Sequence, residues 1–141
     1  APVAVSWGVN NRSVSLRIPA GPPASRHVEH RFSGADVNLY VAAATVLAAA
    51  ALGIRDRLDP GAPVEGNGYV AAAAANASSA QAPALPVTWH DAIARARGSA
   101  FLRDALGEDF LKVLLAIKQQ ELARFEAEVT ETDRAWYLEK S

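Results

Sequence analysis

Four arginines and one glutamate crowd the start of the chain: Arg12, Arg17, Arg26 and Arg31, with Glu29 the only acid between Ala1 and Ala35. Arginine presents a planar fork of N–H donors that matches the oxygens of carboxylates and phosphates. A carboxylate inside such a cluster has two physical uses. It neutralises the guanidiniums, or it holds a divalent cation such as Mg2+ that bridges phosphate oxygens. Structural ion pairs are commoner than sites, so spacing alone favours an ordinary salt-bridged strand pair. The alternative chemistry is the binding of an anionic small molecule together with a metal. A nucleic-acid surface would mix lysines with interleaved aromatics, and no such stripe is present.

These side chains need elements to aim them. Val3 to Trp7 alternates weakly, as a short strand does, and Gly8 to Asn11 reads as a turn. Ser13 to Ile18 alternates strictly, with Val14, Leu16 and Ile18 on one face and Arg17 on the other; that period of two is the signature of a strand. Pro19 ends it, and Ser25 to Phe32 forms a second strand with His27, Glu29 and Arg31 on one face. The expected product is an antiparallel pair with one polar face, taken from the edge of a larger sheet.

The rest of the chain reads as helix. Asp36 stands at a helix N-cap or first turn, and the alanine-rich stretch after it is apolar nearly all round, so residues 36–58 are expected as a buried helix. Residues 61–86, rich in Gly, Pro and Ser, are expected as a variable loop in which Ala71–Ala77 has helical propensity. Residues 88–141 are expected as C-terminal helices, the first capped by Thr88. A long amphipathic one runs from Glu108 to about Thr132, and Trp136 and Tyr137 pin the end. The fold class is therefore α/β (α+β): a few antiparallel strands packed with long helices.

Composition bounds the function. The 141 residues suffice for one compact domain, and half are hydrophobic, but much of that half is alanine, which buries little area. Marginal stability, or support from other segments, is expected. Cysteine is absent, which excludes disulfides and thiolate metal sites and agrees with a cytoplasmic setting. The run from Tyr40 to Ile54 falls short of the roughly 20 residues of a membrane span. Neither membrane nor nucleic acid is expected as a partner. His30 and His90 read as surface or packed residues.

Three segments carry a resemblance. Asn11-Arg12-Ser13-Val14-Ser15-Leu16-Arg17-Ile18-Pro19 resembles the Asn-Arg-Ser-x-Ser-Ile-Arg-Ile-Pro motif of the glutamine synthetase family. Arg26-His27-Val28-Glu29-His30-Arg31 is similar to its Arg-x-x-Glu-x-Arg strand, and Asp36-Val37-Asn38-Leu39-Tyr40 to its Asp-Ala-Asn-Pro-Tyr turn into an alanine-rich helix. The likeness covers nearly the whole chain outside the stretch around Glu65–Pro86, and it implies the C-terminal part of a catalytic domain. It departs from the family at Leu39, usually proline, and at His27, often arginine. The run Val28-Glu29-His30-Arg31 is similar to branches that join glutamate to amines other than ammonia.

What the resemblance implies is an ATP-dependent ligase. ATP phosphorylates the γ-carboxylate of glutamate, ammonia or another amine displaces the phosphate, and Mg2+ or Mn2+ ions clamp the phosphates. It places Glu29 as a metal ligand and Arg31 as the arginine that binds glutamate and stabilises the transferring phosphoryl group. Arg12 is implied as shared between substrate and ATP phosphates, and Arg17 as an ATP-phosphate contact. A homo-oligomer is implied for the full-length protein. The family's remaining metal carboxylates lie outside these residues, so the isolated chain is expected to be inactive. The alternative is a stand-alone binding module that keeps the scaffold without catalysis.

Overall fold

The computed structural model describes residues 2–77 and 84–138, with the backbone alone for 75–77. Two compact units divide the chain, Ala1–Leu85 and Pro86–Ser141.

In the first unit the alternating segment becomes the centre of a three-stranded sheet. Strands β1 (Trp7–Val9), β2 (Leu16–Ile18) and β3 (Glu29–His30) lie in the order β1-β2-β3. The expected antiparallel pair is present, with Leu16 opposite His30 and Arg17 opposite Glu29. β1 differs from expectation: it starts at Trp7, takes in Gly8 and Val9 from the anticipated turn, and runs parallel to β2. The chain leaves β1 through Asn10 at φ +51°, a left-handed conformation that Asn tolerates better than most residues. Val14 and Ser15, both fully buried, anchor the start of β2. The Ser15 hydroxyl donates to the Ala4 carbonyl and accepts from the Ser6 N–H, so its burial leaves no polar atom unmatched.

Helix α1 (Leu39–Arg55) follows. Its cap is Asn38 rather than Asp36: the Asn38 side chain accepts from the N–H groups of Tyr40 and Val41, at 3.1 and 3.2 Å. The expectation of a buried helix over 36–58 is not met within this chain. No α1 residue is buried, and Leu47 and Ile54 are 69% and 80% exposed. An apolar surface all round asks for cover on several sides, and the three short strands of this unit cannot supply it. The expected loop also differs, because Gly68–Ala77 forms helix α2. Alanine propensity decides there. Of that expected loop over 61–86, residues 78–83 lie outside the described residues.

The second unit is helical: α3 (Trp89–Gly98), α4 (Ala100–Leu106), α5 (Glu108–Glu126) and α6 (Glu131–Tyr137). Thr88 caps α3 as expected, accepting from the Asp91 N–H at 3.0 Å. Ile93, Leu111, Leu115 and Leu122 form the core, with Ala96 and Leu102 packed against it. The long helix stops at Glu126, short of the expected Thr132. Thr130 begins a new helix through a capping box with Asp133, and each side chain satisfies the other's backbone N–H. Trp136 and Tyr137 do not pin the end within this unit; they are 64% and 72% exposed.

Candidate active site

Pairing Arg17 with Glu29 across β2 and β3 brings the two side chains to one face. Arg17 Nη1 donates to Glu29 Oε1 at 2.7 Å, and Arg31 Nη1 lies 3.8 Å from Glu29 Oε2. His27 Nε2 stands 4.0 Å from Glu29 Oε1, while its Nδ1 is 2.8 Å from the Ser25 carbonyl. The expected sharing of a face by His27, Glu29 and Arg31 is therefore present in space. The Arg17 hydrogen bond holds the Glu29 carboxyl below its ordinary value, and the charges of Arg17, Arg31 and His27 reinforce this against partial burial. Glu29 stays an anion. Burial lowers the His30 pKa, and its ring tilts against Phe32 at 4.8 Å.

Asn10 was not among the residues read from the sequence as functional. Its left-handed turn sets Oδ1 to accept from Arg17 Nη2 at 2.6 Å. Arg17 is thus held from two sides; its Nε–H and that of Arg31 are buried and meet no acceptor among the described residues.

Arg12 stands apart. It is exposed, and it borders a groove together with Asn10, Asn11, Pro63, Val64 and Glu65. It shares no hydrogen bond or ion pair with Arg17, Glu29 or Arg31. The structure brings together three of the four expected site residues and leaves the fourth on an adjoining turn. Arg26 is exposed as well.

The flanks of Arg12 are fixed. Asn11 Nδ2 donates to the carbonyls of Val64 and Gly66, at 3.0 and 2.9 Å. Asn11 Oδ1 accepts from the Ser13 N–H at 3.0 Å and from the Ser13 hydroxyl at 2.6 Å. Ser13 Oγ in turn accepts from the Gly68 N–H at 2.8 Å. The segment approaches so closely that a Cβ on Gly8 would meet the Val64 oxygen at 2.8 Å. One on Gly68 would meet the Ser13 oxygen at the same distance. Only residues without a side chain fit there.

A family profile described as "Glutamine synthetase, catalytic domain" matches residues 1–137. Among known relatives, the gamma-glutamylputrescine synthetase of Escherichia coli is 36% identical over 140 residues, 99% of this chain and 28% of its own length. The glutamate–methylamine ligase of Methyloversatilis universalis is 33% identical, covering 99% of this chain and 30% of its own length. A solved structure of apo GmaS without ligand superposes with a TM-score of 0.75 at 30% identity, over 97% of this chain and 30% of that one. The chain thus spans under a third of the length of the relatives it matches. Its mixed helices and small sheet match the fold of that structure. The chain belongs to the glutamine synthetase catalytic-domain family.

Proposed function

We propose that these residues are the C-terminal part of an ATP-dependent carbon–nitrogen ligase. It forms a γ-glutamyl amide from glutamate and ammonia or another amine, by way of γ-glutamyl phosphate. One observation carries the reading: the guanidiniums of Arg17 and Arg31 converge on the carboxylate of Glu29, with Nη1 at 2.7 and 3.8 Å from its two oxygens. Two guanidiniums against one carboxylate leave the face net positive with N–H donors to spare, and phosphate and carboxylate oxygens match such donors.

In this reading Arg17 contacts ATP phosphate, and Arg31 binds glutamate and faces the phosphoryl group in transfer. Arg12 serves both substrate and phosphates from the adjoining groove. Fixed cations suit a reaction whose charge builds on phosphoryl oxygens, because they need no reorganisation as it develops. Bound Mg2+ or Mn2+ supplies further neutralisation of phosphate charge. The described residues contain no group of three or more His, Cys, Asp or Glu able to hold a metal ion. Glu29 therefore fits as one oxygen ligand, kept anionic by Arg17, and the other ligands belong to residues outside this stretch.

The same reading assigns 1–33 to strands with active-site motifs from the edge of a larger sheet, 36–58 to a helix covered in the full-length protein, 61–86 to a variable region and 88–141 to C-terminal helices. The names of two relatives, a putrescine and a methylamine ligase, favour an amine other than ammonia as acceptor. A cytoplasmic homo-oligomer completes the proposal, with this chain inactive by itself. No helix of the described residues is long and apolar enough to cross a membrane.

The test is glutamate-dependent ATP hydrolysis by the full-length protein with a panel of amines. Turnover with at least one amine, cut about 100-fold or more by Arg17→Ala or Glu29→Ala, is expected. Nucleotide binding without turnover for any amine would favour the non-catalytic module instead. Turnover indifferent to both substitutions would overturn the site.

A further inference from the structure

We propose that Asn11 is a positioning residue for Arg12, and that segment 61–68, which Asn11 grips, is a fixed support of the active site rather than a free loop. The inference rests on the assignment of Arg12 to substrate and phosphate binding. An asparagine side chain offers two donor hydrogens and two acceptor lone pairs. Here all four are used: two donated bonds to Val64 and Gly66, two accepted bonds from Ser13. That pattern fixes the amide orientation, because a flipped amide would face donors with donors and carbonyls with a carbonyl. Ser13 extends the clamp by accepting from Gly68. The residues on both sides of Arg12 are thus tied, 53 to 55 positions along the chain, to a segment that no other part of the site explains. Among the described residues Arg12 itself has no hydrogen-bond or ion-pair partner, and it lines the groove that this segment borders.

A long side chain on a mobile turn would sample many positions, and immobilising it on binding would oppose affinity. Fixing the backbone on either side lowers that cost before any ligand arrives. Aspartate at position 11 is nearly isosteric but loses both donors and points a carboxylate oxygen at two carbonyls. Asn11→Asp should therefore release the segment and misplace Arg12, and a displacement of about 1 Å can cost about 100-fold in rate.

The experiment is a double-mutant cycle in the full-length protein, measuring kcat, the KM for glutamate and the melting temperature. Arg12→Ala is expected to lower kcat/KM, and Asn11→Asp to lower it between about 10-fold and 100-fold. The double variant Asn11→Asp/Arg12→Ala should be no worse than Arg12→Ala alone, since Asn11 acts through a side chain already removed. If Asn11→Asp fails to fold, Ser13→Ala, which cuts only the link from Asn11 to Gly68, takes its place in the cycle. Losses that multiply, or a lowered melting temperature with kcat and KM unchanged, would overturn the positioning role while leaving the role of Arg12 intact. An unchanged Arg12→Ala enzyme would overturn both.

Discussion

The two units of the chain are held together by opposite means. Over 86–138 the core is apolar, four buried aliphatic side chains from α3 and α5, and the polar residues decorate it with local pairs such as Lys118–Glu121 and Glu131–Arg134. Among the described residues of 2–85 the buried ones are small, Pro2, Ala4, Gly8, Val14, Ser15, Gly68 and Ala72, and order comes from short polar side chains that bond backbone across long stretches of sequence. An apolar core tolerates drift of its surface, whereas a hydrogen-bond network fixes positions to fractions of an ångström. The charged site lies on the second kind of support. The contrast suggests that activity is sensitive to substitutions that scarcely affect melting, and the reverse.

The largest expected effect sharpens the helical side. Leu111 is 3% exposed at the centre of its cluster, and Leu111→Ala should cost about 2–5 kcal/mol by removing buried methyl groups and leaving a cavity. Hydrogen exchange over α3 and α5 would read it as a loss of protection. Protection unchanged across those helices would break the description of this unit as core-built.

Next come two glycines of the first unit that look alike in sequence. Gly68→Ala gains helix propensity of up to about 1 kcal/mol, but its Cβ would stand 2.8 Å from the Ser13 backbone oxygen, which the clamp holds in place. Overpacking of this kind costs about 1–3 kcal/mol, so the net change is destabilising. Gly53, in the last turns of α1, has nothing within 4 Å of an added Cβ. Gly53→Ala should therefore stabilise this chain by about 0.5–1 kcal/mol. Thermal melts of the two variants should move in opposite directions; movement in the same direction would show that the clamp is soft.

How much of this could be read beforehand follows the same division. The strict alternation of Ser13 to Ile18 and the offsets of His27, Glu29 and Arg31 foretold one strand pair and its polar face, because period two is a property of the backbone. Thr88 and the amphipathic pattern that starts at Glu108 did the same for α3 and α5. What escaped was set by contacts distant in sequence. Nothing local tells that Asn11 reaches Val64, that Asn10 receives Arg17, or that β1 runs parallel to β2. The break between α5 and α6 was legible in principle, since Thr130 followed by Asp133 is a capping pair. The exposure of α1 was not legible at all, since an apolar surface states a need for cover and not where the cover comes from.

A smaller effect of about 1 kcal/mol is expected for Thr130→Ala, which removes the hydroxyl half of the capping box on α6 and keeps the bond from the backbone N–H of residue 130 to Asp133. Helical content of the last turns, followed by amide exchange, would report it.

The subtlest comparison sets one carboxylate from each unit side by side. Glu29 and Asp133 both titrate below their ordinary values of 4.5 and 3.8, for different reasons. For Asp133 the hydroxyl and the backbone N–H of Thr130 lower it; for Glu29 the Arg17 hydrogen bond leads, and the charges of Arg17, Arg31 and His27 add to it. In each case the unfolded chain binds the proton more readily than the folded one. The stabilising contribution is therefore fully present above the ordinary value and is lost as pH falls through the lower folded one. Salt separates the two. Added salt screens interactions between charges, least at contact and more with distance, so it should raise the Glu29 pKa part of the way back while leaving Asp133 nearly still. Carboxyl-carbon chemical shifts followed between pH 2 and 6 at low and high salt would decide it. An equal response of both groups would mean that the arginines around Glu29 act only through contact, and that the polar face carries no field of its own for an incoming anion to feel.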